Sequence, residues 1–467
     1  MSNFQKNRTD FLTLIKTISR GNTYVASRQI FAGELLMVET PFAAVPLINA
    51  GADGERQVSV NAYSNAAERS KRGDISSLAQ LSISVLRCIQ NDKVANLSID
   101  ALCSNIASRT SEEMNIFRQQ AKMISKFIIG FTEAEILLLL DKLCRNVFTV
   151  TGPEMEPLGL ALYINCTKFN HSCAPNAHQS FCSSNIFIHA ARVIAKGEEI
   201  TISYIDAGQP TAARRWELMN SYHFICHCEK CVYAELNNIF KCPQGKCKGS
   251  IYPLGDLHEK SLYINWLDGH IPSRISGNSY NYICHLPYAE LINASMNKLC
   301  DNNLPVRFDQ GDKITQFVCK KCRACVSMTS ISSHVSILVG NNNNESKVEN
   351  RVNVCTASME AARALFFDNH YIVMDTTSKL VLEFLKHSMF QEALTVNLIS
   401  LSSFQCVYSP ASAVVAIQEL QIGKLYAFIG DRSQAAFYVS SALKKIEILL
   451  GSDCALAQSA HLLLQSA

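Results

Sequence analysis

Three cysteines at residues 226, 228 and 231, in the sequence CHCEKC, constrain the fold of this chain more than any other feature. The spacing places three thiolates on one short turn, and zinc is the natural metal for such a turn. Because a tetrahedral zinc site needs four ligands, one more must come from elsewhere, and Cys173, in a polar loop with a proline, is the nearest upstream candidate. The alternative is three buried thiols without a metal, since the triplet lacks a partner CxxC pair. A first zinc site is therefore predicted at Cys173, Cys226, Cys228 and Cys231.

Two polar segments precede the triplet. Residues 170–172 read Asn-His-Ser and are followed by Pro175-Asn176, a run that turn chemistry alone can explain. Residues 197–199 read Gly-Glu-Glu and lead into an alternating strand predicted over residues 200–204, which ends at Tyr204. The Tyr204 hydroxyl is expected at a strand end that faces the loop, and the alternative is a half-buried packing tyrosine.

A second cysteine set lies farther along the chain. Cys242 and Cys247, in KCPQGKCKG, are matched by Cys319 and Cys322 in CKKC. Two knuckle-like pairs predict one site with four thiolate ligands, because the surrounding Gly and Lys residues suit tight turns that aim backbone N–H groups at sulfur. Cys325 is an alternative ligand in place of Cys319 or Cys322. A second zinc ion is therefore predicted.

Composition limits the class of protein. The 467 residues include 43 basic and 40 acidic side chains, a balance that argues against nucleic acid as the partner. The amino terminus has no apolar core of the signal-peptide kind, and no apolar run approaches the ~20 residues that span a bilayer. We therefore expect a soluble intracellular protein, cytoplasmic or nuclear or both, in which the 19 cysteines are reduced thiols and metal ligands.

The rest of the chain alternates between strand and helix signals. Residues 11–49 predict a β-hairpin with a glycine turn, and residues 50–145 have the apolar spacing of helices. Residues 340–346, GNNNNES, predict a hinge and a domain boundary. Beyond it, small and apolar residues at helical spacing indicate an array of helical hairpins, with a plain helical bundle as the alternative.

Three motifs, taken in this order, resemble the catalytic half of a SET-domain protein lysine methyltransferase, with the closest likeness to the SET-and-MYND (SMYD) group. They are residues 169–176 (FNHSCAPN), 197–206 (GEEITISYID) and 222–228 (YHFICHC). The resemblance implies an α+β fold: a SET-domain β-fold of pseudoknotted small sheets, a helical insert, a cysteine-rich post-SET segment and a tetratricopeptide-like all-α carboxyl-terminal domain. A MYND zinc finger is not expected, because the first cysteine of the chain is Cys88.

The expected domains follow from the motifs and the composition. They are the amino-terminal part of the SET domain (1–50), a helical insert in place of a MYND finger (51–145), the carboxyl-terminal SET core with the post-SET zinc site (146–231), a second cysteine-rich zinc module with an insertion (232–335) and the tetratricopeptide-like domain (336–467).

The resemblance also implies roles for single residues. Tyr204 would place its hydroxyl near the transferring methyl group as the catalytic residue, and Tyr222 and Phe224 would line a channel for the target lysine. Thr23 stands where the group often has a second glycine, and a turn-capping role is the alternative for Asn146. The residues implied to bind S-adenosylmethionine are Arg20, Asn22, Asn146, Asn170, His171 through its backbone, Tyr204 and Phe224.

Two functions are therefore weighed. One is S-adenosylmethionine-dependent methylation of a protein lysine, histone or non-histone. The other is a catalytically weak SET fold that serves as a zinc-stapled interaction scaffold and binds partner peptides in a groove beside its carboxyl-terminal helical domain. The absent finger and Thr23 favour the scaffold, whereas Tyr204, Asn170 and Phe224 favour the enzyme, because a scaffold has no physical need for all three.

Overall fold

The fold is seen in a computed structural model of the chain. It describes residues 11–17, 20–47, 76–91, 93–152, 155–182, 184–209, 211–232, 348–408, 412–452 and 454–466, and short pieces between 241 and 327 (241–244, 247, 249, 251–253, 316–319, 321–322 and 324–327). The predicted hinge at 340–346 and the predicted domain boundary at residue 50 lie outside the described residues.

The chain divides into two compact units. The first contains Met1–Ile205, Glu217–Ile225 and Lys444–Ser459, and the second contains Asp206–Trp216, Cys226–Leu443 and Ala460–Ala467. The predicted catalytic residue Tyr204 and the predicted channel residues Tyr222 and Phe224 belong to the first unit, whereas the second cysteine set and most of the carboxyl-terminal helices belong to the second.

The described residues of the first unit form four small sheets. Their orders are β1-β2, β3-β9-β8, β4-β6-β5 and β10-β7. The predicted glycine turn lies in the β1-β2 hairpin, where Gly21 has a φ of 69° in the left-handed region that favours glycine. Apolar residues of these sheets, among them Tyr24, Ile188 and Ile202, form one buried core. The strands are β1 Leu12–Thr17, β2 Gly21–Ala26, β3 Leu35–Glu39, β4 Ala43–Pro46, β5 Val147–Thr151, β6 Pro157–Leu162, β7 Asn170–His171, β8 Ala177–Cys182, β9 Asn185–Ala190 and β10 Thr201–Ile202.

The predicted strand over residues 200–204 is shorter in the structure, where β10 contains only Thr201 and Ile202. The backbone N–H groups on either side of β10 donate to partners other than the β7 backbone. The Ile200 N–H donates to the Tyr24 carbonyl at 2.8 Å, and the Tyr204 N–H donates to the His171 ring at 3.0 Å. Because these donors are used outside a ladder, the strand ends early, and the prediction of a five-residue strand was wrong.

The helical insert packs on the sheet β4-β6-β5. Two of its helices, α3 (Ser111–Ile124) and α4 (Glu133–Asn146), each begin with a capping box. In these boxes Thr110 and Glu113, or Thr132 and Glu135, satisfy each other's backbone N–H groups. Their apolar faces form a second buried core with Ala43 of β4 and Leu162 of β6. The described helices of the insert are α1 Ser77–Asn91, α2 Lys93–Asp100, α3 Ser111–Ile124 and α4 Glu133–Asn146.

After residue 205, the described residues form helices and one small three-stranded sheet. The three-stranded sheet β11-β12-β13 belongs to the second unit, in which α7 packs on α8, α8 on α9 and α9 on α10. The elements are α5 Thr211–Tyr222, α6 Glu229–Val232, β11 Ile251–Pro253, β12 Gln316–Cys319, β13 Cys325–Ser327, α7 Val348–Leu365, α8 Tyr371–Lys386, α9 Phe390–Tyr408, α10 Ala413–Ile429, α11 Arg432–Leu450 and α12 Ala455–Ser466.

The α+β class and the many carboxyl-terminal helices are confirmed, while the likeness to tetratricopeptide repeats stays a prediction. Among the described helices, none has the length and apolar character needed to cross a membrane.

A half-buried and a buried histidine form a cross-strand pair in the sheet β3-β9-β8. His178 of β8 lies opposite His189 of β9, and the ring atoms His178 Nε2 and His189 Nδ1 are buried and have no hydrogen-bond partner among the described residues. Burial, and then the neighbouring His189, lower the pKa of His178 to about 4, and burial lowers the pKa of His189 to about 4. Both rings are therefore neutral in the folded protein at pH 7.

The histidine pair predicts loss of stability in acid. The unfolded chain binds protons near an ordinary pKa of 6.5, but the folded chain does so only near 4, so protons favour unfolding between these values. Once the pH is below both values, the lowered pKa of each histidine has reduced the free energy of unfolding by roughly 3 kcal/mol relative to neutral pH. We expect His178→Phe to flatten the fall of the melting temperature between pH 6.5 and 4, and the same change at the exposed His461 to leave the fall as it is. Equal pH profiles for both variants in thermal melts would remove the pair from this role.

Candidate active site

Four aromatic rings of the first unit form a closed circuit. The ring of His171 lies 5.3 Å from that of Tyr204 and 5.9 Å from that of Phe224, measured between centroids. The Tyr222 ring closes the circuit, at 4.9 Å from Tyr204 and 6.4 Å from Phe224. The structure therefore brings together the predicted catalytic residue and both predicted channel residues. It adds His171, whose side chain had no role in the prediction.

Two parts of the chain supply the circuit. His171 lies in β7, which pairs in parallel with β10, and Tyr204 follows β10 by two residues. Tyr222 ends α5, and Phe224 follows after one residue, His223, which has a φ of 58°. A non-glycine residue in this left-handed region is uncommon and turns the chain sharply. The turn at His223 lets two aromatic side chains only two positions apart join the same circuit.

Tyr204 is held at both its hydroxyl and its backbone. The hydroxyl donates to the Phe169 carbonyl at 2.7 Å, and the backbone N–H donates to His171 Nδ1 at 3.0 Å. Burial, and then the nearby Tyr222, Cys103 and Glu199, raise the pKa of Tyr204 well above its ordinary value. The phenol therefore keeps its proton at neutral pH, and its oxygen lone pairs are left to accept a contact.

The protonation of His171 follows from its neighbours. Because the Tyr204 N–H donates to Nδ1, that nitrogen carries no proton, and the proton of the neutral ring is on Nε2. His171 Nε2 lies 3.2 Å from Cys173 Sγ, so the ring connects the Tyr204 backbone to a cysteine that is predicted to bind zinc.

A polar group converges on Glu199. One carboxylate oxygen, Oε2, accepts from Arg20 Nη1 at 2.8 Å. The other, Oε1, accepts from Thr23 Oγ1 at 2.7 Å and from Asn170 Nδ2 at 2.8 Å. Glu199 thus joins two predicted cofactor residues, Arg20 and Asn170, to a buried threonine. Glu199 lies in the motif 197–206 but was not among the predicted site residues. The sequence signal for it is weak, because its partners Arg20 and Thr23 lie far away in the sequence.

The other predicted cofactor residues lie near this group in sequence or on α4. Asn22 is exposed in β2, two residues from Arg20. Asn146 is buried at the end of α4, and its Nδ2 donates to the carbonyls of Cys103 at 3.0 Å and Lys142 at 2.7 Å. Both amide protons of Asn146 are therefore used, which leaves its amide oxygen for a ligand.

A buried ionic network supports the segment that carries Tyr222. Arg145 of α4 donates through Nη1 to the Tyr222 carbonyl at 3.3 Å, and its Nη2 lies 3.5 Å from Asp141. Asp141 also accepts from Arg109 Nε at 2.6 Å, and both of these side chains are fully buried. Burial alone would raise the pKa of Asp141, but hydrogen bonds from Ser104, the Asn105 backbone and Arg109 lower it. Asp141 is therefore ionised between two guanidinium groups.

The structure brings together the second predicted cysteine group and the CHCEKC triplet. The sulfurs of Cys242, Cys247, Cys319 and Cys322 all lie within 4.8 Å of one another, and so do those of Cys226, Cys228 and Cys231. Four thiolates are the donor set of a closed structural zinc site, so the second group fits the metal that the sequence predicts. Cys173, the predicted fourth ligand of the first site, belongs to the first unit, and the first zinc site stays a prediction. The alternative ligand Cys325 lies in β13, where its backbone pairs with Val318.

Comparison with known proteins gives the family context. Residues 21–205 match the model of the SET domain. The histone-lysine N-methyltransferase ASHR1 of Arabidopsis thaliana is 26% identical over 216 residues, which are 42% of this chain and 44% of that protein.

Two animal proteins are also similar. The N-lysine methyltransferase SMYD2-B of Danio rerio is 38% identical over 96 residues (21% of this chain, 22% of that protein). The histone-lysine N-methyltransferase SMYD3 of Mus musculus is 31% identical over 136 residues (27% of this chain, 32% of that protein). The chain thus spans less than half the length of each of these three relatives.

Proposed function

We propose that this chain transfers a methyl group from S-adenosylmethionine to the ε-amine of a protein lysine, because residues 21–205 match the SET domain and the chain is similar to lysine methyltransferases. The observation that carries the proposal is the closed circuit of His171, Tyr204, Tyr222 and Phe224. The polar group at Glu199 lies next to this circuit, because Asn170, which donates to Glu199, is the residue before His171 in β7.

Aromatic walls suit a channel for lysine. Ring faces attract the ammonium as it enters, and a water-poor environment lowers the pKa of an amine, which favours the neutral nucleophile. Tyr204 cannot act as the base, because its raised pKa keeps the hydroxyl protonated. Its hydroxyl proton goes to the Phe169 carbonyl, and the oxygen lone pairs then orient the reacting groups. Alignment and desolvation are therefore the main contributions of these residues to catalysis.

The polar group at Glu199 fits the amino-acid end of S-adenosylmethionine, which bears a carboxylate and an ammonium. Arg20 supplies a cation and Glu199 an anion, and the Arg20 side chain is 49% exposed, so it can change partners when a ligand carboxylate arrives. Gly21 has open space where a Cβ would stand, so its backbone is accessible. Arg20, Asn22, Asn146, Asn170, His171 and Phe224 would hold the molecule, which supplies the methyl group.

A glutamine at residue 199 tests the polar group. Glu199→Gln removes the charge that faces Arg20 and the ligand ammonium while it keeps the size of the side chain. Because hydrogen bonds to charged groups contribute about 1.5–3 kcal/mol, we expect calorimetry to show at least a tenfold weaker affinity for S-adenosylmethionine. Glu198→Gln is the matched control, since Glu198 pairs with Arg192 and Asn176 instead. The role of Glu199 is wrong if both variants bind like the unmodified protein or weaken equally.

From the spacing of CHCEKC we also propose a structural zinc ion on Cys226, Cys228 and Cys231 with Cys173 as the fourth ligand, an ion that would take no part in the chemistry of methyl transfer. His171 Nε2–H is placed to donate to the Cys173 sulfur, as the neighbours of zinc ligands commonly do. This contact would tie the metal ligand to the aromatic circuit.

The proposed activity is tested with a labelled methyl donor. The purified chain is incubated with labelled S-adenosylmethionine and a whole-cell lysate, and the labelled lysine is then identified by mass spectrometry. We expect label on the ε-amine of a lysine in a protein, histone or non-histone. Calorimetry distinguishes the scaffold alternative, because a protein that neither binds S-adenosylmethionine nor transfers label has no such activity.

A further inference from the structure

The second cysteine group has the dimensions of an occupied zinc site. Cys242 Sγ lies 3.7 Å from Cys322 Sγ, and Cys247 Sγ lies 3.6 Å from Cys319 Sγ. A tetrahedron with zinc–sulfur bonds of about 2.3 Å has sulfur–sulfur edges of roughly 3.8 Å. A disulfide would bring two sulfurs to about 2.05 Å. The observed separations therefore match four thiolates around one ion and do not match two disulfides.

The backbone around the sulfurs is shaped for thiolates. The N–H groups of Lys321 and Cys322 point at Cys319 Sγ at 3.4 Å and 3.5 Å, so the CKKC turn is a knuckle that stabilises negative charge on sulfur. Gly249 closes the facing turn. A Cβ on it would lie 2.7 Å from Cys319 Sγ and 3.2 Å from Cys247 Sγ, so only glycine fits there. Both turns therefore approach Cys319 Sγ closely.

The two turns are joined by a small sheet. Strand β11 pairs with β12, with Ile251 opposite Cys319, and β12 pairs with β13, with Val318 opposite Cys325. Two cysteine turns on a three-stranded antiparallel sheet are the arrangement of a zinc ribbon. Cys247 and Cys319 are 72 residues apart in the chain, so a metal that joins them closes a long loop.

This module is attached to the carboxyl-terminal end of α7. The Lys241 N–H donates to the Leu365 carbonyl at 2.8 Å, and the Lys241 ammonium contacts the Arg363 carbonyl. A cation at a helix C-terminus satisfies carbonyls that have no partner in the helix and favours the helix dipole. The position of Lys241, next to Cys242, makes the end of α7 depend on the geometry of the cysteine group.

We propose that Cys242, Cys247, Cys319 and Cys322 hold one structural Zn²⁺ in a zinc ribbon, and that this ion stabilises the end of α7. The site is closed, since four protein thiolates fill a tetrahedral shell and leave no position for a substrate. It serves the fold of the second unit and is independent of methyl transfer, so it stands even if the proposed activity fails.

The first experiment compares two cysteines of one hairpin in the full chain. We expect Cys319→Ser to lower the zinc content, measured by plasma mass spectrometry, by about one ion per chain relative to the unmodified protein, and to lower the melting temperature. Cys325→Ser, six residues away and outside the group, is expected to keep its zinc. Equal zinc content in Cys319→Ser and the unmodified protein, or loss of an ion in Cys325→Ser, overturns the assignment.

A second measurement needs no variant and therefore does not depend on whether Cys319→Ser folds. The unmodified protein is alkylated before and after treatment with a zinc chelator, and each cysteine is followed by peptide mass spectrometry. We expect Cys242, Cys247, Cys319 and the exposed Cys322 to be protected together and to react together after chelation, while the exposed Cys406 reacts in both samples. If Cys322 reacts before chelation as fast as Cys406, the ion is not there.

Discussion

Tyr204→Phe is expected to lower the turnover of lysine methylation by about a hundredfold, the effect of removing one well-placed polar group from a transition state. The variant loses the hydroxyl that the Phe169 carbonyl orients, but it keeps the ring that packs between His171 and Tyr222. Affinity for S-adenosylmethionine should change little, because the polar group at Glu199 is not altered. Turnover and affinity are measured separately, by single-turnover methyl transfer and by calorimetry.

Tyr163→Phe is the matched control for this prediction. The Tyr163 hydroxyl also donates to a backbone carbonyl, that of Ser184 at 2.6 Å, and the residue is fully buried in the core of the same unit. Both variants lose one hydrogen bond, worth about 1 kcal/mol of stability, but only Tyr204 belongs to the aromatic circuit. Unchanged turnover in Tyr204→Phe, or an equal loss in both variants, would contradict the role of the hydroxyl.

Asp141→Asn is expected to lower the free energy of unfolding by about 3–5 kcal/mol, because removal of one partner of a buried ionic network leaves uncompensated charge in the interior. Arg109 and Arg145 would lose their shared carboxylate, and Arg109 has a fully buried side chain. Arg145 also donates to the Tyr222 carbonyl, so we expect a higher KM for the lysine substrate in addition to the lower stability. Urea unfolding and methylation kinetics give the two readouts.

Asp375→Asn serves as the control for the ionic network. Asp375 pairs with Lys379 at 2.9 Å, and the two side chains are 41% and 55% exposed. Exposed pairs contribute about 0–1 kcal/mol, so the unfolding midpoint should move little. Comparable losses in the two variants would mean that the network around Asp141 is not a special support of the fold.

The motifs that the sequence predicted best are those set by local spacing. CHCEKC and CKKC place sulfurs on turns of a few residues, and the chain itself limits where those sulfurs can go. For this reason the cysteine groups and the α+β class were predictable without a structure. The strand over residues 200–204 was predicted too long because its backbone partners, Tyr24 and His171, lie far away in sequence.

Local spacing was therefore enough to predict the cysteine groups, the SET-like motifs and the helical character of the insert. Which distant residues meet depends on the tertiary structure. Glu199 accepts from Arg20 across 179 residues, and Arg145 reaches the Tyr222 carbonyl across 77. Hydrogen bonds of this kind leave no periodic trace in the sequence, because the spacing between their partners depends on the packing of whole sheets and helices rather than on a local turn.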